Sequence, residues 1–209
     1  MYQRCIKRGL DILLSLIALI VFLPLMLVCA IWIRLDSPGP ALFRQKRIGA
    51  GDSTFTILKF RTMRQDTPPE VATHLMQDAS SHITRCGRIL RSTSLDELPQ
   101  LINILRGDMS FVGPRPALWN QFDLIQMRRE RRVDQVKPGL TGWAQVNGRD
   151  MLDMAQKVQF DAEYVQRLSF LMDLRCIWRT VAVVLRQSDI DGKKEEGAAG
   201  DARSAGTGK

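Results

Sequence analysis

A long uncharged apolar run occupies most of the first 36 residues. Residues 12–33 carry no charged side chain, and 22 residues at about 1.5 Å each give a helix of roughly 33 Å, enough for the core of a bilayer. The run is longer than the apolar part of a usual signal peptide, and no small-residue cleavage site follows it. We therefore expect a membrane helix within residues 1–36 that the mature protein keeps.

Pro24 lies near the middle of this run, where it removes a backbone donor and favours a bend. Basic residues flank both ends of the run: Arg4, Lys7 and Arg8 before it, and Arg34, Arg44, Lys46 and Arg47 after it. Since cytosolic flanks are enriched in Lys and Arg, both ends are predicted to lie in the cytosol. A helix that enters the membrane, bends at Pro24 and returns satisfies both observations. A plain span stays open as the alternative, because spanning helices tolerate proline.

The polar part of the chain alternates turn formers with short periodic segments. Residues 36–40 (DSPGP) predict a linker, residues 55–60 (FTILKF) a short strand, and residues 65–81 a polar loop. Apolar residues then recur at helical spacing after Ser94, namely Leu95, Leu98, Leu101, Ile102 and Leu105. Ser94 and Glu97 fit a capping box, and Gly107 can close this helix.

The last periodic segment predicts an amphipathic helix. One face carries Leu174, Ile177, Trp178, Val181, Val184 and Leu185, and another carries Arg175, Arg179 and Arg186. Such a helix suits an anionic membrane surface, and an ordinary helix that covers the core is the open alternative. From residue 188 onward bulky apolar residues are almost absent, which predicts disorder. The pattern divides the chain into a membrane helix (1–36), a cytosolic membrane-associated domain (37–187) and a tail (188–209).

Composition limits the class of protein without naming it. With 209 residues and 45% hydrophobic residues, the chain can bury one proper core. A net charge of +8 indicates an anionic partner, which leaves nucleic acid, anionic lipid and phosphorylated substrates open. The four cysteines are scattered singly, unlike a zinc site or a disulfide scaffold, which suits a reducing, cytosolic setting.

The residues that suggest chemistry cluster around the Ser94 helix. Asp96 and Glu97 fall in its first turn, where acids ordinarily complement the helix dipole. A helix N-terminus is also an anion site, and Arg91 precedes this one in sequence. Arg115 stands between two prolines that limit its backbone freedom, which suits a phosphate ligand as well as a rigid surface turn. Further cations stand at Lys59 and Arg149, and residues 137–142 form a glycine-containing loop that can approach a ligand closely.

Several common sites are not supported by the sequence. Neither a Walker A motif nor a G-x-G-x-x-G fingerprint is present, which argues against an ordinary NTPase or dinucleotide site. His74 and His82 lack a ligand-like partner pattern and are expected to be solvated. The basic run at residues 128–132 fits a solvated helix face or a membrane contact as well as nucleic acid, and no aromatic residues interleave it.

Four segments form an ordered set of motifs: residues 59–63 (KFRTM), 91–101 (RSTSLDELPQL), 107–116 (GDMSFVGPRP) and 138–149 (PGLTGWAQVNGR). They resemble the small monotopic phosphoglycosyl transferases, also called bacterial sugar transferases, and the likeness runs from about Tyr2 to Arg186. The resemblance implies a re-entrant helix broken at Pro24, although the family often has Ser where this chain has Leu23. It also implies an α/β fold with a compact, mostly helical cytosolic domain, a short sheet and amphipathic surface helices.

The resemblance further assigns Asp96 as the nucleophile, Glu97 as its partner in a dyad, and Mg²⁺ at Asp96. The cations expected around the phosphates are Lys59, Arg91, Arg115 and Arg149. The implied reaction moves a sugar 1-phosphate from a UDP-sugar to undecaprenyl phosphate and releases UMP, through a phosphosugar bound to the aspartate. It would be the first membrane step in the synthesis of a bacterial surface polysaccharide or glycoconjugate, on the cytosolic face of the inner membrane and upstream of glycosyltransferases.

Neither the sugar nor the downstream glycan follows from these residues. A UDP-linked hexose, N-acetylhexosamine or deoxyamino sugar offers the same diphosphate, and general likeness favours an acetamido or deoxyamino sugar. Two rival functions are a membrane-anchored module that binds nucleic acid or lipid, and a hydrolase that uses the same aspartate with water. The first does not explain an acidic dyad between cationic motifs, so we expect no nucleic-acid partner.

Overall fold

The computed structural model describes residues 2–67, 81–148 and 151–183. After a π-helical turn (Tyr2–Ile6), the helices are α1 (Lys7–Asp36), α2 (Arg85–Ser92), α3 (Gln100–Arg106), α4 (Phe122–Glu130), α5 (Trp143–Val146), α6 (Met154–Gln166) and α7, which is helical from residue 170 to residue 183. The strands are β1 (Leu42–Ile48), β2 (Thr54–Phe60), β3 (Ser110–Val112) and β4 (Gly139–Thr141). Short 3₁₀ turns lie at Ala50–Asp52, Leu95–Glu97 and Val133–Gln135.

Helices predominate, and the described strands form two small sheets. β1 and β2 make an antiparallel hairpin in which Leu42 pairs with Phe60, and the predicted strand at 55–60 is confirmed as β2. β3 and β4 pair in parallel, with Ser110 opposite Gly139. The mostly helical domain with short sheets is therefore as expected, whereas residues 149–150, 184–187 and the predicted tail lie outside the described residues.

Helix α1 continues without interruption through Pro24 and lies along the domain on one narrow face. The buried residues of that face recur at three, four or eleven positions, which are near-whole numbers of helical turns: Lys7, Asp11, Ser15, Met26, Cys29 and Ile33. Its other faces expose large apolar side chains, and only 11% of its most apolar window is buried. Within the described residues, this is the helix long and apolar enough to cross a membrane.

Both ends of α1 contact the same domain. Near the start, the Arg8 guanidinium donates to the carbonyls of Ile104 (2.6 Å) and Leu105 (2.8 Å) at the end of α3. At the end, the Asp36 carboxylate accepts a hydrogen bond from the backbone N–H of Cys86 on α2 (3.1 Å). Between them, α1 shares hydrophobic clusters with β2, α2 and α3. One face of the helix thus contacts the domain towards both ends and near Leu19, whereas residues 20–25 are exposed.

Helix α7 confirms the predicted amphipathic helix as far as residue 183. Its contacts show which of its faces packs against the domain. Met172 and Cys176 are buried, whereas the described apolar residues of the predicted face, up to Val181, are exposed, with Trp178 76% exposed. That apolar face therefore does not cover the core. Arg175 and Arg179 instead lie over the ring of Trp143, with guanidinium carbons 5.1 and 4.8 Å from its centroid.

Candidate active site

The helix predicted to begin at Ser94 does not begin there. Ser94 has a left-handed backbone (φ 58°) and its side chain caps nothing, so the predicted capping box with Glu97 is wrong. Asp96 and Glu97 lie instead in a single 3₁₀ turn between α2 and α3, and α3 begins at Gln100, directly after Pro99. The Glu97 carboxylate is drawn away from the backbone by two cations from other elements.

Glu97 accepts a hydrogen bond from each of those cations. Lys59 Nζ on β2 lies 2.7 Å from Glu97 Oε1, and an Nη atom of Arg115 lies 3.3 Å from the same oxygen. Burial alone would raise the pKa of Glu97, but Lys59 and Arg115 outweigh it and lower the pKa to about 2. Burial also lowers the pKa of Lys59, against the pull of Glu97. Glu97 is therefore a fixed carboxylate that orients two cations.

Asp96 has the opposite character from its neighbour. Burial raises its pKa, the charge of Lys59 opposes that rise, and the charge of Glu97 adds to it. Unlike Glu97, its carboxylate forms no hydrogen bond or ion pair with the described part of the chain. A carboxylate that is partly desolvated and not engaged by a cation keeps its oxygen lone pairs available, as a nucleophile or a metal ligand requires.

Most of the sequence-predicted residues lie around one cavity of about 1360 Å³. Its lining includes the predicted residues Lys59, Arg91, Asp96, Glu97 and Arg115. Arg149, the sixth predicted residue, lies outside the described residues. Ten Arg and Lys side chains line this cavity against three Asp and Glu side chains, so it suits a ligand with several negative charges.

Two of the sequence motifs meet through an unusually close backbone approach. The Gly113 N–H donates to the Thr141 carbonyl and the Gly139 N–H donates to the Pro114 carbonyl, both at 2.9 Å. A Cβ on Gly139 would lie 2.1 Å from the Gly113 nitrogen, so only glycine fits there. This contact extends the β3–β4 pairing and holds the loop that carries Arg115.

Arg47 also lines the cavity, although its place in the sequence indicated only a basic cytosolic flank of the apolar run. Arg47 on β1 donates to the Pro116 carbonyl (3.0 Å) and to Gln45 Oε1 (2.5 Å). Burial, aided by nearby Arg115, lowers the pKa of Arg47 to about 10. The only signal in the sequence was the group of basic residues after the apolar run, which equally well indicates a cytosolic flank.

The basic run at 128–132 is not a uniform patch. Arg128 binds the buried carboxylate of Asp161 through Nε (3.0 Å) and an Nη atom (2.6 Å), and also donates to the Arg115 carbonyl (2.8 Å). Arg129 binds Asp52 at 2.5 Å. Arg128 and Asp161 line the cavity, and Lys157 on α6 does so too. Arg128 is therefore part of the site, whereas residues 129–132 are exposed, as a solvated face requires.

No ready-made metal cluster exists in the described part of the chain, where no three His, Cys, Asp or Glu residues come together. His82 lies 3.8 Å from Asp66 and outside the cavity lining, and His74 is outside the described residues. Of the cavity carboxylates, Glu97 and Asp161 are bound to cations, which leaves Asp96. Mg²⁺ commonly binds through one or two carboxylates and substrate phosphates, so Asp96 fits such a site.

The chain is similar in sequence to several known proteins. The model of the bacterial sugar transferase family matches residues 2–187. A UDP-N-acetylgalactosamine-undecaprenyl-phosphate N-acetylgalactosaminephosphotransferase of Aeromonas hydrophila is 41% identical over 187 residues, which are 86% of this chain and 44% of that protein. A UDP-glucose:undecaprenyl-phosphate glucose-1-phosphate transferase of Caulobacter vibrioides is 45% identical over 187 residues, 86% of this chain and 69% of that protein. The exopolysaccharide production protein ExoY of Sinorhizobium fredii is 37% identical over 193 residues, 85% of this chain and 84% of that protein.

Proposed function

This chain belongs to the bacterial sugar transferase family, and we propose that it transfers a sugar 1-phosphate from a UDP-sugar to undecaprenyl phosphate and releases UMP. The observation that carries the proposal is the placement of Asp96, unpaired and desolvated, among cations in a large cavity. Two of the relatives named above, those of Aeromonas hydrophila and Caulobacter vibrioides, carry the same class of donor and acceptor in their names. Since this chain spans under half of the Aeromonas relative, the activity is proposed for the part that matches.

The proposed reaction has two displacement steps at one phosphorus. An Asp96 oxygen forms a bond to the phosphorus that bears the sugar, and the bond from that phosphorus to the bridging oxygen breaks, so that UMP leaves with the bond's electron pair. An oxygen of undecaprenyl phosphate then attacks the same phosphorus and the Asp96 carboxylate leaves. The product is undecaprenyl diphosphate sugar, and the carboxylate is restored.

The cations around Asp96 explain how a carboxylate can approach a diphosphate. Lys59 and Arg115, oriented by Glu97, and Arg91 present positive charge to the same cavity and would neutralise phosphate oxygens during in-line attack. Arg149 is proposed for the same duty by its place in the motif. Mg²⁺, held by Asp96 and the phosphates, would supply further charge neutralisation when bound.

For the membrane helix, we propose that α1 enters the cytosolic leaflet of the bacterial inner membrane and returns to the same side, with Pro24 permitting a bend. The support is that both ends of α1 contact one domain, through Arg8 and Asp36. A helix with its two ends on opposite sides of a bilayer could not make both contacts. α1 also lends Leu27, Ala30 and Ile31 to the cavity lining, which suits an acceptor that arrives from lipid.

The test of the reaction uses detergent-solubilised full-length protein with Mg²⁺, undecaprenyl phosphate and a panel of UDP-sugars, and measures UMP. We expect lipid-dependent UMP release that falls about 10³-fold or more in Asp96→Asn. With a sugar-labelled donor and no lipid, label should stay on the wild-type protein and not on Asp96→Asn. The exposed Asp123, outside the cavity, provides the matched control Asp123→Asn, which should behave as wild type. UMP release that ignores lipid would indicate a hydrolase, and release that survives Asp96→Asn would refute the assigned nucleophile.

The test of the membrane placement uses thiol labelling. Cys5 is exposed, whereas Cys29, Cys86 and Cys176 are buried. In spheroplasts, a maleimide that cannot cross the membrane should leave Cys5 unlabelled until the membrane is permeabilised. The same should hold for Ser53→Cys in a Cys5→Ser background, since Ser53 is exposed beyond the other end of α1. Labelling of either site in intact spheroplasts would mean that α1 spans.

A further inference from the structure

A buried hydrogen-bond acceptor without a partner lies in the wall of the cavity. Gln145 on α5 lines the cavity, and its Nε2 donates to the Leu140 carbonyl at 3.2 Å. Because a carbonyl can only accept, that bond identifies which end of the amide is the nitrogen and which is the oxygen. Its Oε1 is buried and has no hydrogen-bond partner in the described part of the chain. An unsatisfied buried acceptor destabilises the protein until a donor reaches it, so such an atom at a binding site is a candidate ligand contact.

The backbone that carries Gln145 is held by neighbouring residues, and its amide is held by the bond to Leu140. Trp143 Nε1 on the same short helix donates to Glu163 of α6 (2.9 Å), and Asn147 Nδ2 donates to the Trp143 carbonyl (2.7 Å). Arg179 of α7 in turn donates to Asn147 Oδ1 (2.7 Å). These bonds join α5 to α6 and α7 before any ligand arrives. An acceptor fixed in this way costs little conformational entropy when it binds a ligand.

The chemistry of an amide oxygen restricts what it can bind. It accepts hydrogen bonds and cannot donate, so it is repelled by phosphate oxygens and gains nothing from a hydrocarbon chain. In the proposed reaction, the acceptor lipid consists of an ionised phosphate and hydrocarbon. The nucleotide sugar, in contrast, offers the uracil N–H and the hydroxyls or amide N–H of its sugars. Of the two substrates, only the donor therefore supplies suitable partners, through its uracil and sugar.

The surroundings agree with that restriction. α6, which packs against α5, contributes Lys157 and Asp161 to the same cavity, and α4 contributes Arg128. The apolar residues from the membrane helix come from a different element, α1. The structure assigns Gln145 Oε1 as a hydrogen-bond acceptor for the uracil or sugar of the nucleotide-sugar donor. This inference rests on the proposed function and makes Gln145 a residue that determines donor specificity.

The experiment measures equilibrium binding of the UDP-sugar that supports turnover, with Asp96→Asn as the parent so that no product forms. Adding Gln145→Met, which keeps the length of the side chain and removes its acceptor, should weaken donor binding about 5- to 20-fold. Adding Gln145→Glu, which loses the bond to Leu140 and adds a negative charge to a site for an anionic donor, should weaken it at least as much. In the protein with an intact Asp96, Gln145→Met should leave the KM for undecaprenyl phosphate within about twofold of wild type.

Two further measurements separate the possible partners of Gln145 from one another and from a failure of the proposed function. If the uracil is the partner, UMP binding should fall by the same factor, and an N3-methylated donor should bind both proteins equally. If the sugar is the partner, UMP binding should not change. Donor binding that is unaltered by Gln145→Met, or a loss confined to the lipid KM, would overturn the inference. Absence of UMP release from every donor in the wild-type protein would instead refute the proposed function, and UMP binding would still test the uracil arm.

Discussion

The ion pair between Lys59 and Glu97 is predicted to stabilise the fold as well as the site. The two side chains are each only 16% exposed and their charged atoms lie 2.7 Å apart. Replacing Lys59 by Met leaves Glu97 buried with Arg115 at 3.3 Å, and Arg115 is 46% exposed. Loss of one partner of a buried pair costs about 3–5 kcal/mol because the other charge is left uncompensated.

The pKa of Glu97 gives an independent magnitude. Its fall from 4.5 to about 2 corresponds to about 3 kcal/mol of stabilisation of the folded state. This stabilisation is complete above the unfolded pKa and is lost as the pH falls towards about 2, so pH 7 is suitable for the assay. Burial lowers the pKa of Lys59, and this offsets part of the gain. Arg115 remains paired with Glu97 in the variant and retains part of the stabilisation. We therefore expect a net loss of about 2 kcal/mol for Lys59→Met, or roughly 4–8 °C in Tm.

The assay is thermal or urea unfolding in one detergent, followed by circular dichroism. The matched control is Arg167→Met, which removes an exposed ion pair with Glu163. Because the Arg167 side chain is 66% exposed, this loss should change stability by at most about 0.5 kcal/mol. The double variant Lys59→Met with Glu97→Gln removes the uncompensated charge, so it should regain stability but not UMP release. If Lys59→Met lost no more stability than Arg167→Met, the account of this pair would be refuted.

Three further outcomes follow from the structure. Because burial raises the pKa of Asp96 and Lys59 opposes that rise, kcat/KM for UMP release should fall as the pH falls through the Asp96 pKa, and Lys59→Met should move that limb to higher pH. Chelation by EDTA should abolish UMP release and added Mg²⁺ should restore it, with unfolding in EDTA unchanged if the metal serves the reaction alone. Gly87→Ala would place a Cβ 2.0 Å from the Thr62 carbonyl oxygen and should lower the Tm by about 5 °C or more, whereas Gly9→Ala, with open space around it inside α1, should not lower it.

Local sequence patterns predicted the elements that depend on local forces. The strand at 55–60 and the helix that contains Leu174 both formed where their periodicity placed them. The capping box failed because a tertiary interaction was stronger: Lys59 and Arg115 bind the Glu97 carboxylate that a cap would have used. A pattern four residues long carries no information about a cation 38 positions earlier in the chain.

The sequence predicted those residues of the candidate site that stand in short contiguous motifs. Lys59, Arg91, Asp96, Glu97 and Arg115 each stand in a conspicuous motif, and the structure brings all of them to one cavity. Contacts that join distant parts of the chain had no such signal. Arg128 and Asp161 are 33 positions apart and meet because α4 packs on α6, and the orphan oxygen of Gln145 follows from a hydrogen bond that no spacing reveals.

The polar residues on the buried face of α1 connect the membrane helix to the site. Asp11 accepts hydrogen bonds from the Ser110 hydroxyl (3.1 Å) and the Phe111 N–H (3.0 Å), at the start of β3. β3 leads directly into the loop that presents Arg115 to Glu97. These bonds connect α1 to the strand that precedes the Arg115 loop. With α1 in the membrane, as proposed, the depth of this helix would help to set the height of the cavity relative to the bilayer through the fold itself.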